Sequence, residues 1–246
     1  MSAVFDTPLT RYDESTSHRW MILLLAVITL VMSLFFKGSA HSWFPIRYVK
    51  VEGTFIQLDQ MLLKQALLSH VVDSDFFSAD LQAINDAAIA LPWVKRAKVI
   101  RSWPGTIVIQ IEEQRPVARW GKQSLLNKHG ELFTPDDIEP FKEIVLLSGP
   151  DEQQQKIFKL LHELNGMLAP YGLAVQEFNI TDRQSWQIKL QNGIYLVFGR
   201  KDQKKSLHRL LQSLLQPGQK DELDVIKKID LRYPNGFAVT WHHDRL

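Results

Sequence analysis

The stretch "LPWVKRAKVIRSWPGTIVIQI", residues 91–111, decides the fold of the first folded block of this chain. Apolar and polar residues alternate on both sides of Pro104-Gly105, a pattern that predicts two half-buried strands joined by a turn. We therefore interpret the basic side chains as the solvated side of a sheet and not as a nucleic-acid-binding surface. One face of the first strand carries Ala97, Val99 and Trp103 and the other carries Arg96, Lys98 and Ile100, while Ile107, Ile109 and Ile111 of the second strand point inward.

A strand and two helices are predicted before this hairpin. The sequence "IRYVKVEG", residues 46–53, alternates as a strand does and ends in glycine. Asp59 is predicted to cap a first helix and Ser78 a second, and Pro92 ends the second helix. The order strand, helix, helix, strand, strand defines a small α+β module.

The segment "WMILLLAVITLVMSLFF", residues 20–36, contains no charged side chain. Its length and composition predict one transmembrane helix after a polar tail. A cleaved signal peptide and a buried soluble helix are the alternatives, but the apolar run is too long for the first and lacks the polar stripe of the second. The flanking basic residues, Arg11 and Arg19 before the run and Lys37, Arg47 and Lys50 after it, do not decide the orientation.

The block from residue 116 to residue 241 is predicted to be mainly strands with two amphipathic helices, 151–168 and 203–215. Asn192-Gly193 predicts a hairpin with a two-residue turn. The pairs that this turn sets opposite each other are Leu190 with Tyr195 and Ile188 with Val197.

A second hairpin is predicted around "YPNG", near the end of the chain. A two-residue turn at Asn235-Gly236 would place apolar residues opposite polar ones. A three-residue loop, with Gly236 in the left-handed conformation, pairs apolar residues with one another, and we predict this register. Its pairs are Tyr233 with Phe237, Leu231 with Val239 and Ile229 with Trp241.

Composition and motifs exclude several classes of function. The 246 residues include no cysteine and carry a formal net charge of +2, so thiolate chemistry and strong polyanion binding are not expected. Neighbouring strand residues point to opposite faces, so neither Glu112-Glu113 nor His242-His243 is predicted to act as a pair. The cluster Arg200, Lys201, Lys204 and Lys205 is interpreted as a solvated helix start. We predict no enzyme activity, cofactor, metal site or nucleic-acid partner.

The segment "FAVTW", residues 237–241, contains no charge and no proline. A strand at the edge of a sheet exposes free backbone N–H and C=O groups unless such residues protect it. An unprotected strand near the end of a chain favours pairing with a strand of a partner.

The sequences "LPWVKRAKVIRSWPGTIVIQIEEQRPVARWG", "LLNKHGELFTP", "GLAVQEFNITDRQSWQIKLQNGIYLVFGR" and "KKIDLRYPNGFAVTW" resemble the FtsQ/DivIB family of bacterial cell-division proteins. The resemblance covers nearly the whole chain, in order. It implies an α+β bitopic protein with the N-terminus in the cytoplasm and the bulk in the periplasm. The implied regions are a cytoplasmic tail (1–19), a transmembrane helix (20–36), a POTRA domain (44–115), a mainly-β domain with two helices (116–241) and a tail (242–246).

The resemblance also implies a function. Proteins of this family are scaffolds that link early and late division proteins at the septum, and they recruit the FtsB–FtsL pair through their last strands. The POTRA domain and the helix in the inner membrane contribute other contacts in the division machinery. The implied partner-binding residues are Arg232, Tyr233, Gly236, Phe237, Val239 and Trp241, with Tyr233 either a contact or a core residue. A POTRA component of outer-membrane protein assembly or secretion is the alternative, followed by an envelope enzyme.

Overall fold

The computed structural model describes residues 14–38, 44–72, 74–214, 223 and 225–242. The first helix, α1, runs over Glu14–Gly38, so it begins before the predicted start at Trp20. The added residues contain neither glycine nor proline, and nothing in them breaks a helix. Among the described residues, no helix has both the length and the apolar composition needed to cross a bilayer.

The next five elements follow the predicted order strand, helix, helix, strand, strand. They are β1 (Tyr48–Glu52), α2 (Gln60–Val71), α3 (Leu81–Ile89), β2 (Val94–Ser102) and β3 (Thr106–Glu113). The three strands form one sheet in the order β1-β3-β2. The first strand runs parallel to the central one, with Val49 beside Ile107 and Val51 beside Ile109. Parallel pairing requires a long connection between the two strands, and the helices lie in that connection.

One of the two predicted helix caps is confirmed and the other is wrong. Asp59 caps α2, because its Oδ1 accepts the backbone N–H of Met61 at 2.7 Å. The cap of α3 is Asp80, whose Oδ1 accepts the N–H groups of Gln82 and Ala83 at 2.9 and 3.0 Å. Ser78 lies in the preceding turn, where its hydroxyl accepts the N–H of Asp75. A carboxylate two residues later therefore takes the position that we assigned to the serine.

The predicted faces of the β2–β3 hairpin are correct at most positions, but Val99 is only half-buried and Val108, predicted on the opposite face from Ile107 and Ile109, is also buried. Ala97, Ile107, Ile109 and Ile111 are buried, and Arg96 and Lys98 are exposed. Trp103 is 65% exposed, although alternation placed it with Ala97. The strand ends at Ser102, so Trp103 belongs to the turn and the alternation no longer applies to it.

The rest of the chain forms a nine-stranded sheet in the order β12-β11-β10-β9-β8-β7-β4-β5-β6. Its strands are β4 (Pro116–Trp120), β5 (Ser124–Asn127), β6 (Leu132–Phe133), β7 (Leu146–Ser148), β8 (Val175–Ile180), β9 (Trp186–Leu190), β10 (Tyr195–Phe198), β11 (Ile226–Leu231) and β12 (Ala238–Trp241). Two longer helices, α4 (Gln154–Leu168) and α5 (Gln203–Leu214), accompany it, together with short 3-10 helices at Glu139–Phe141 and Ala169–Tyr171.

The core of this second block lies between one face of the sheet and the two helices, as the amphipathic patterns predicted. The buried residues include Ile157, Leu161, Leu164 and Leu168 of α4, Leu207, Leu210 and Leu211 of α5, and Phe178, Ile188, Leu196, Phe198 and Ile229 of the sheet. The predicted start of α4 at Asp151 is wrong. Glu152 has a left-handed φ of 62°, which a right-handed helix cannot contain, so the helix begins at Gln154.

The register predicted for the Asn192-Gly193 hairpin is wrong by one residue. Leu196 pairs with Ile188, and Tyr195 pairs with Lys189. Gly193 has a φ of 90° and its N–H donates to the carbonyl of Leu190 at 2.9 Å, which closes a three-residue loop. This register aligns the buried Ile188 and Leu196 across the two strands and leaves Tyr195 opposite a lysine.

The chain divides into two compact units. One consists of the segments up to Glu52, Lys64–Ala87 and Lys98–Gln110, and the other of Gly53–Leu63, Ala88–Ala97 and the chain from Ile111. The domain bounds given above, 44–115 and 116–241, stay predictions.

Candidate partner-binding edge

The last strand, β12, lies at one edge of the nine-stranded sheet, as predicted. Ala238, Thr240 and Trp241 are exposed and Val239 is half-buried. The strand contains none of the lysine, glutamate or proline residues that commonly protect an edge. Among the residues that the structure describes, no strand pairs with its outer side, which can therefore accept a further strand.

The hydrogen bonds of β12 indicate which backbone groups face outward. The N–H of His242 donates to the carbonyl of Val225 at 2.9 Å, so residue 242 points its backbone groups toward β11. Alternate residues of an antiparallel strand bond to the same neighbour, so Thr240 and Ala238 also face β11. Val239 and Trp241 then direct their N–H and C=O groups to the open side.

The register that we predicted for this hairpin is wrong. Val239 pairs with Ile229 instead of Leu231, and Trp241 pairs with Ile226 instead of Ile229. Ala238 pairs with Asp230, and β11 ends at Leu231, so residues 232–237 form the connection and Tyr233 does not pair with Phe237. Gly236 is not in the left-handed region, and a Cβ there would meet nothing within 4 Å. The loop is thus much longer than the predicted one, and the alternative two-residue turn is equally wrong.

A side-chain clamp explains why the strand pair ends early. Asp230 Oδ1 accepts the backbone N–H of Arg232 at 3.1 Å, which turns the chain away from β12. The guanidinium of Arg232 returns to the same carboxylate, with Nε 2.9 Å from Oδ1 and 3.0 Å from Oδ2. These charge-assisted hydrogen bonds from Arg232 hold the pKa of the Asp230 carboxyl below its ordinary value. Arg232 is therefore a positioning residue in this structure.

A second contact fixes the loop from outside the hairpin. Arg209 of α5 donates from its Nη1 to the carbonyl oxygen of Pro234 at 2.7 Å. Sequence reasoning missed Arg209, and no local pattern could have found it, because the two residues are far apart in the chain and meet only in the fold.

The structure places the predicted site residues around this loop and edge. Tyr233 is 55% exposed, so it is not a core residue, and Trp241 is 50% exposed. Phe237 and Val239 are half-buried and pack against the core of the second block. Two exposed aromatic side chains therefore flank an open strand whose other apolar residues hold it to the domain.

The two candidate acidic residues of β3 do not act together. Glu112 forms an ion pair with Lys95 at 3.1 Å, and this hydrogen bond lowers the pKa of its carboxyl. Glu113 is buried and accepts the backbone N–H groups of Ile56, Gln57 and Leu58 at 2.8, 2.6 and 2.5 Å. The divergence predicted for consecutive strand residues is confirmed, and Glu113 serves to fix the chain before α2.

The basic cluster at the start of α5 is partly neutralised. Lys204 contacts Glu163, and Lys205 lies 3.2 Å from Asp202, which agrees with a solvated helix start. Of the two histidines near the C-terminus, His242 is exposed, and His243 lies outside the described residues. In the described part of the chain, no group of histidine, aspartate or glutamate is arranged to hold a metal ion.

Fold and edge together define a class of α+β proteins with a POTRA-like module before a sheet that has one open side. Comparisons with known families agree. The family "POTRA domain, FtsQ-type" matches residues 44–114, and the family "Cell division protein FtsQ/DivIB, C-terminal" matches residues 118–232. Arg232 is the last residue in the second match, so Tyr233 and β12 lie beyond it.

Individual relatives cover most of the chain. It is 37% identical over 219 residues to the cell division protein FtsQ of Methylomonas methanica, which spans 84% of this chain and 87% of that protein. The same protein of Xanthomonas campestris pv. campestris is 35% identical, over 89% of this chain and 78% of its own length. That of Vibrio cholerae is 30% identical, over 95% and 91%. The chain belongs to the FtsQ/DivIB family of cell-division proteins.

Proposed function

We propose that this protein is a scaffold of the division machinery that recruits the FtsB–FtsL complex through β12. The open edge carries this proposal, since Val239 and Trp241 present free backbone N–H and C=O groups there. A scaffold role needs binding surfaces and no reacting group, which agrees with the structural roles that Glu112 and Glu113 have in this fold.

The proposed mechanism is strand addition. A segment of FtsB lies beside β12 and forms main-chain hydrogen bonds with Val239 and Trp241, which gives affinity with little dependence on sequence. Tyr233 and Trp241 supply side-chain contacts, and exposed aromatic residues of this kind are common anchors at interfaces. Arg232 acts through Asp230 by setting where the chain leaves the sheet and hence where Tyr233 is held. Gly236 lies in the connection before β12, where a Cβ would meet nothing within 4 Å, so the proposal assigns it no side-chain contact.

The remaining parts of the chain are assigned to localisation. The uncharged run of residues 20–36 is proposed as a single inner-membrane anchor, with the N-terminus in the cytoplasm and the rest in the periplasm at the septum. The POTRA module and the anchor are proposed to contact other division proteins.

The experiment that tests the function is depletion of the protein in the parent bacterium, followed by complementation. We expect filaments without septa on depletion, restored by the parent gene and not by a variant with Val239→Pro. Cells that divide normally but assemble outer-membrane proteins poorly would favour the secretion role instead. Restoration of septa by the Val239→Pro variant would contradict the use of β12.

A further inference from the structure

Three large aromatic side chains lie exposed next to one another in the first unit. Phe44, Phe77 and Trp103 are 44%, 62% and 65% exposed. Their ring centroids are 5.2 Å apart for Phe44 and Phe77, 5.8 Å for Phe44 and Trp103, and 6.4 Å for Phe77 and Trp103. We call these three residues the aromatic platform. A contiguous exposed apolar patch usually marks a surface that binds something.

The platform is fixed by hydrogen bonds that do not involve its rings. Arg101 of β2 donates from Nε to the carbonyl of Phe76 at 2.7 Å, and from Nη2 to those of Phe77 and Ala79 at 3.1 and 2.7 Å. The N–H of Phe76 donates to the carbonyl of Phe44 at 2.8 Å. The guanidinium of Arg101 thus holds in place the loop that carries Phe77, and that loop holds Phe44.

The turn that carries Trp103 is hydrogen-bonded to the segment that carries Phe44. The N–H of Arg47 donates to the carbonyl of Gly105 at 2.8 Å. Gly105 has a φ of +134°, and a Cβ there would lie 3.0 Å from the carbonyl oxygen of Pro45, so only glycine fits. Three separate segments therefore present the rings in one arrangement, and little ordering is needed when they bind.

The position of the platform in the chain indicates what covers it. Phe44 follows the end of α1 at Gly38 by a few residues, and an extended chain of that length spans at most about 20 Å. If residues 20–36 are a membrane anchor, the platform must lie close to the bilayer surface. Tryptophan favours the headgroup layer of a bilayer because its ring has an apolar body and a polar N–H, and a phenylalanine beside it can bury its apolar ring at the boundary with the acyl chains.

Charge does not explain the patch. Arg47 is exposed on one side of the platform, but Asp75 and Asp80 lie in the loop on either side of Phe77, and the guanidinium of Arg101 is occupied by carbonyl groups. An attraction to anionic lipids would need an excess of basic residues. Binding is therefore expected to depend on the rings and to resist salt.

We propose that the aromatic platform inserts into the headgroup layer of the phospholipid bilayer and so fixes the orientation of the first unit on the membrane. This inference rests on the membrane anchor of the proposed function, and it concerns a surface that the strand-addition site does not include. The occupant is lipid and not a protein.

The absence of cysteine allows the proposal to be tested in the full chain with single labels. Phe77→Cys places an environment-sensitive fluorophore on the platform, Gln65→Cys places it on the exposed side of α2, and Ile28→Cys places it in α1. Each protein is reconstituted in phosphatidylcholine–phosphatidylglycerol vesicles that contain a nitroxide lipid, with the nitroxide either at the headgroup or deep in the acyl chains.

The headgroup nitroxide is expected to quench the label at position 77 about threefold more than the label at position 65, with no change in 0.5 M salt. Adding Phe44→Gln and Trp103→Gln to the Phe77→Cys protein should reduce its quenching to that of position 65. If circular dichroism shows that this variant is unfolded, the proposal is tested by the difference in quenching between the single-label proteins Phe77→Cys and Gln65→Cys.

Equal quenching at positions 77 and 65 would overturn the proposal. It is the result expected if the natural occupant of the platform is a protein and not lipid. If 0.5 M salt removed the difference in quenching between positions 77 and 65, the contact would depend on charge and not on the aromatic rings, and the proposal would be overturned. The label at position 28 reports on the anchor separately. If the deep nitroxide quenches the label at position 28 and the headgroup nitroxide does not quench the label at position 77, the membrane anchor is supported and the insertion of the platform is contradicted. The reverse result keeps the platform as a peripheral membrane contact and removes the anchor.

Discussion

The two edges of the nine-stranded sheet are built differently. At one edge, β6 consists only of Leu132–Phe133, and Phe133 is buried with its ring 5.5 Å from that of Trp93. At the other, β12 is longer, and most of its residues are exposed. A short edge strand offers few free backbone groups, which is a common protection against unwanted pairing. The fold therefore protects one edge and leaves the other available.

The strongest test places a proline in each edge. Val239→Pro removes an outward N–H of β12, and Leu132→Pro does the same in β6, because the N–H of Asn127 bonds to the carbonyl of Glu131 and alternation turns residue 132 outward. We expect Val239→Pro to weaken binding of the periplasmic fragment of FtsB about 100-fold by calorimetry, and Leu132→Pro to leave it unchanged. Equal binding by both variants, with normal circular dichroism, would show that FtsB does not pair with β12.

The next test compares two tyrosines that are similarly exposed. Tyr233 lies in the loop before β12, and Tyr195 lies on β10, 46% exposed and with Lys189 5.7 Å from its ring. Tyr233→Ala should weaken FtsB binding by about 2 kcal/mol, roughly 30-fold, whereas Tyr195→Ala should change it less than about twofold. Both should alter the free energy of unfolding by less than about 1 kcal/mol, since neither ring is buried. A similar loss from both would point to the sheet face instead of the edge.

A smaller effect is expected at Trp241. Its backbone groups remain when the side chain is removed, so Trp241→Ala should weaken FtsB binding about tenfold, less than the proline in the same strand. Trp241→Phe keeps an aromatic ring and should recover most of the affinity. If Trp241→Ala binds as well as the parent, the side chain is not an anchor and only its backbone contributes.

The smallest effect concerns the clamp that ends the strand pair. Asp230 is expected to titrate below the ordinary value of about 3.9, and Arg232→Gln should raise its pKa toward that value, measured by NMR. Because the folded pKa lies below the unfolded one, the stabilisation from this pair is present at neutral pH and is lost as pH falls through the folded pKa. Arg209→Gln, which frees the carbonyl of Pro234, is the matched control that leaves Asp230 paired. An unchanged Asp230 pKa in Arg232→Gln would contradict the clamp, because it would show that Arg232 does not stabilise the Asp230 carboxylate.

Much of the fold followed from the period of the apolar residues. Alternation found the inward residues of β2 and β3, and helical spacing found the buried faces of α4 and α5, because burial acts on every turn or every second residue. Trp103 was misplaced because alternation holds only within a strand. The cap of α3 was misplaced at Ser78 because serine and aspartate are both common caps, and only the geometry of the turn shows that Asp80 is the cap.

The register of the Asn192-Gly193 hairpin was wrong by one residue because its loop contains three residues instead of two, and an Asn-Gly pair occurs in loops of both lengths. The register of the last hairpin was wrong for a different reason. Registers that differ by two residues bury the same side chains, so the pairing of Ile229 with Val239 or with Trp241 cannot be decided by alternation. The long connection of the observed register is held by the bonds from Arg232 to Asp230 and from Arg209 to Pro234, and these contacts depend on the folded chain. The open edge itself was predictable, since an unprotected last strand requires only composition. The exposure of Tyr233 was not.

The bulge in β11 has a consequence for comparing relatives of different length. Ile226 pairs with Trp241 and Lys228 with Thr240, so Lys227 is one residue of β11 that has no counterpart in β12. A relative that lacks this residue would have a regularly alternating β11, and β12 would keep its pairing on both sides of the deletion. A one-residue gap at Lys227 therefore leaves the outward and inward backbone groups of β12 unchanged, whereas a gap within β12 would exchange them.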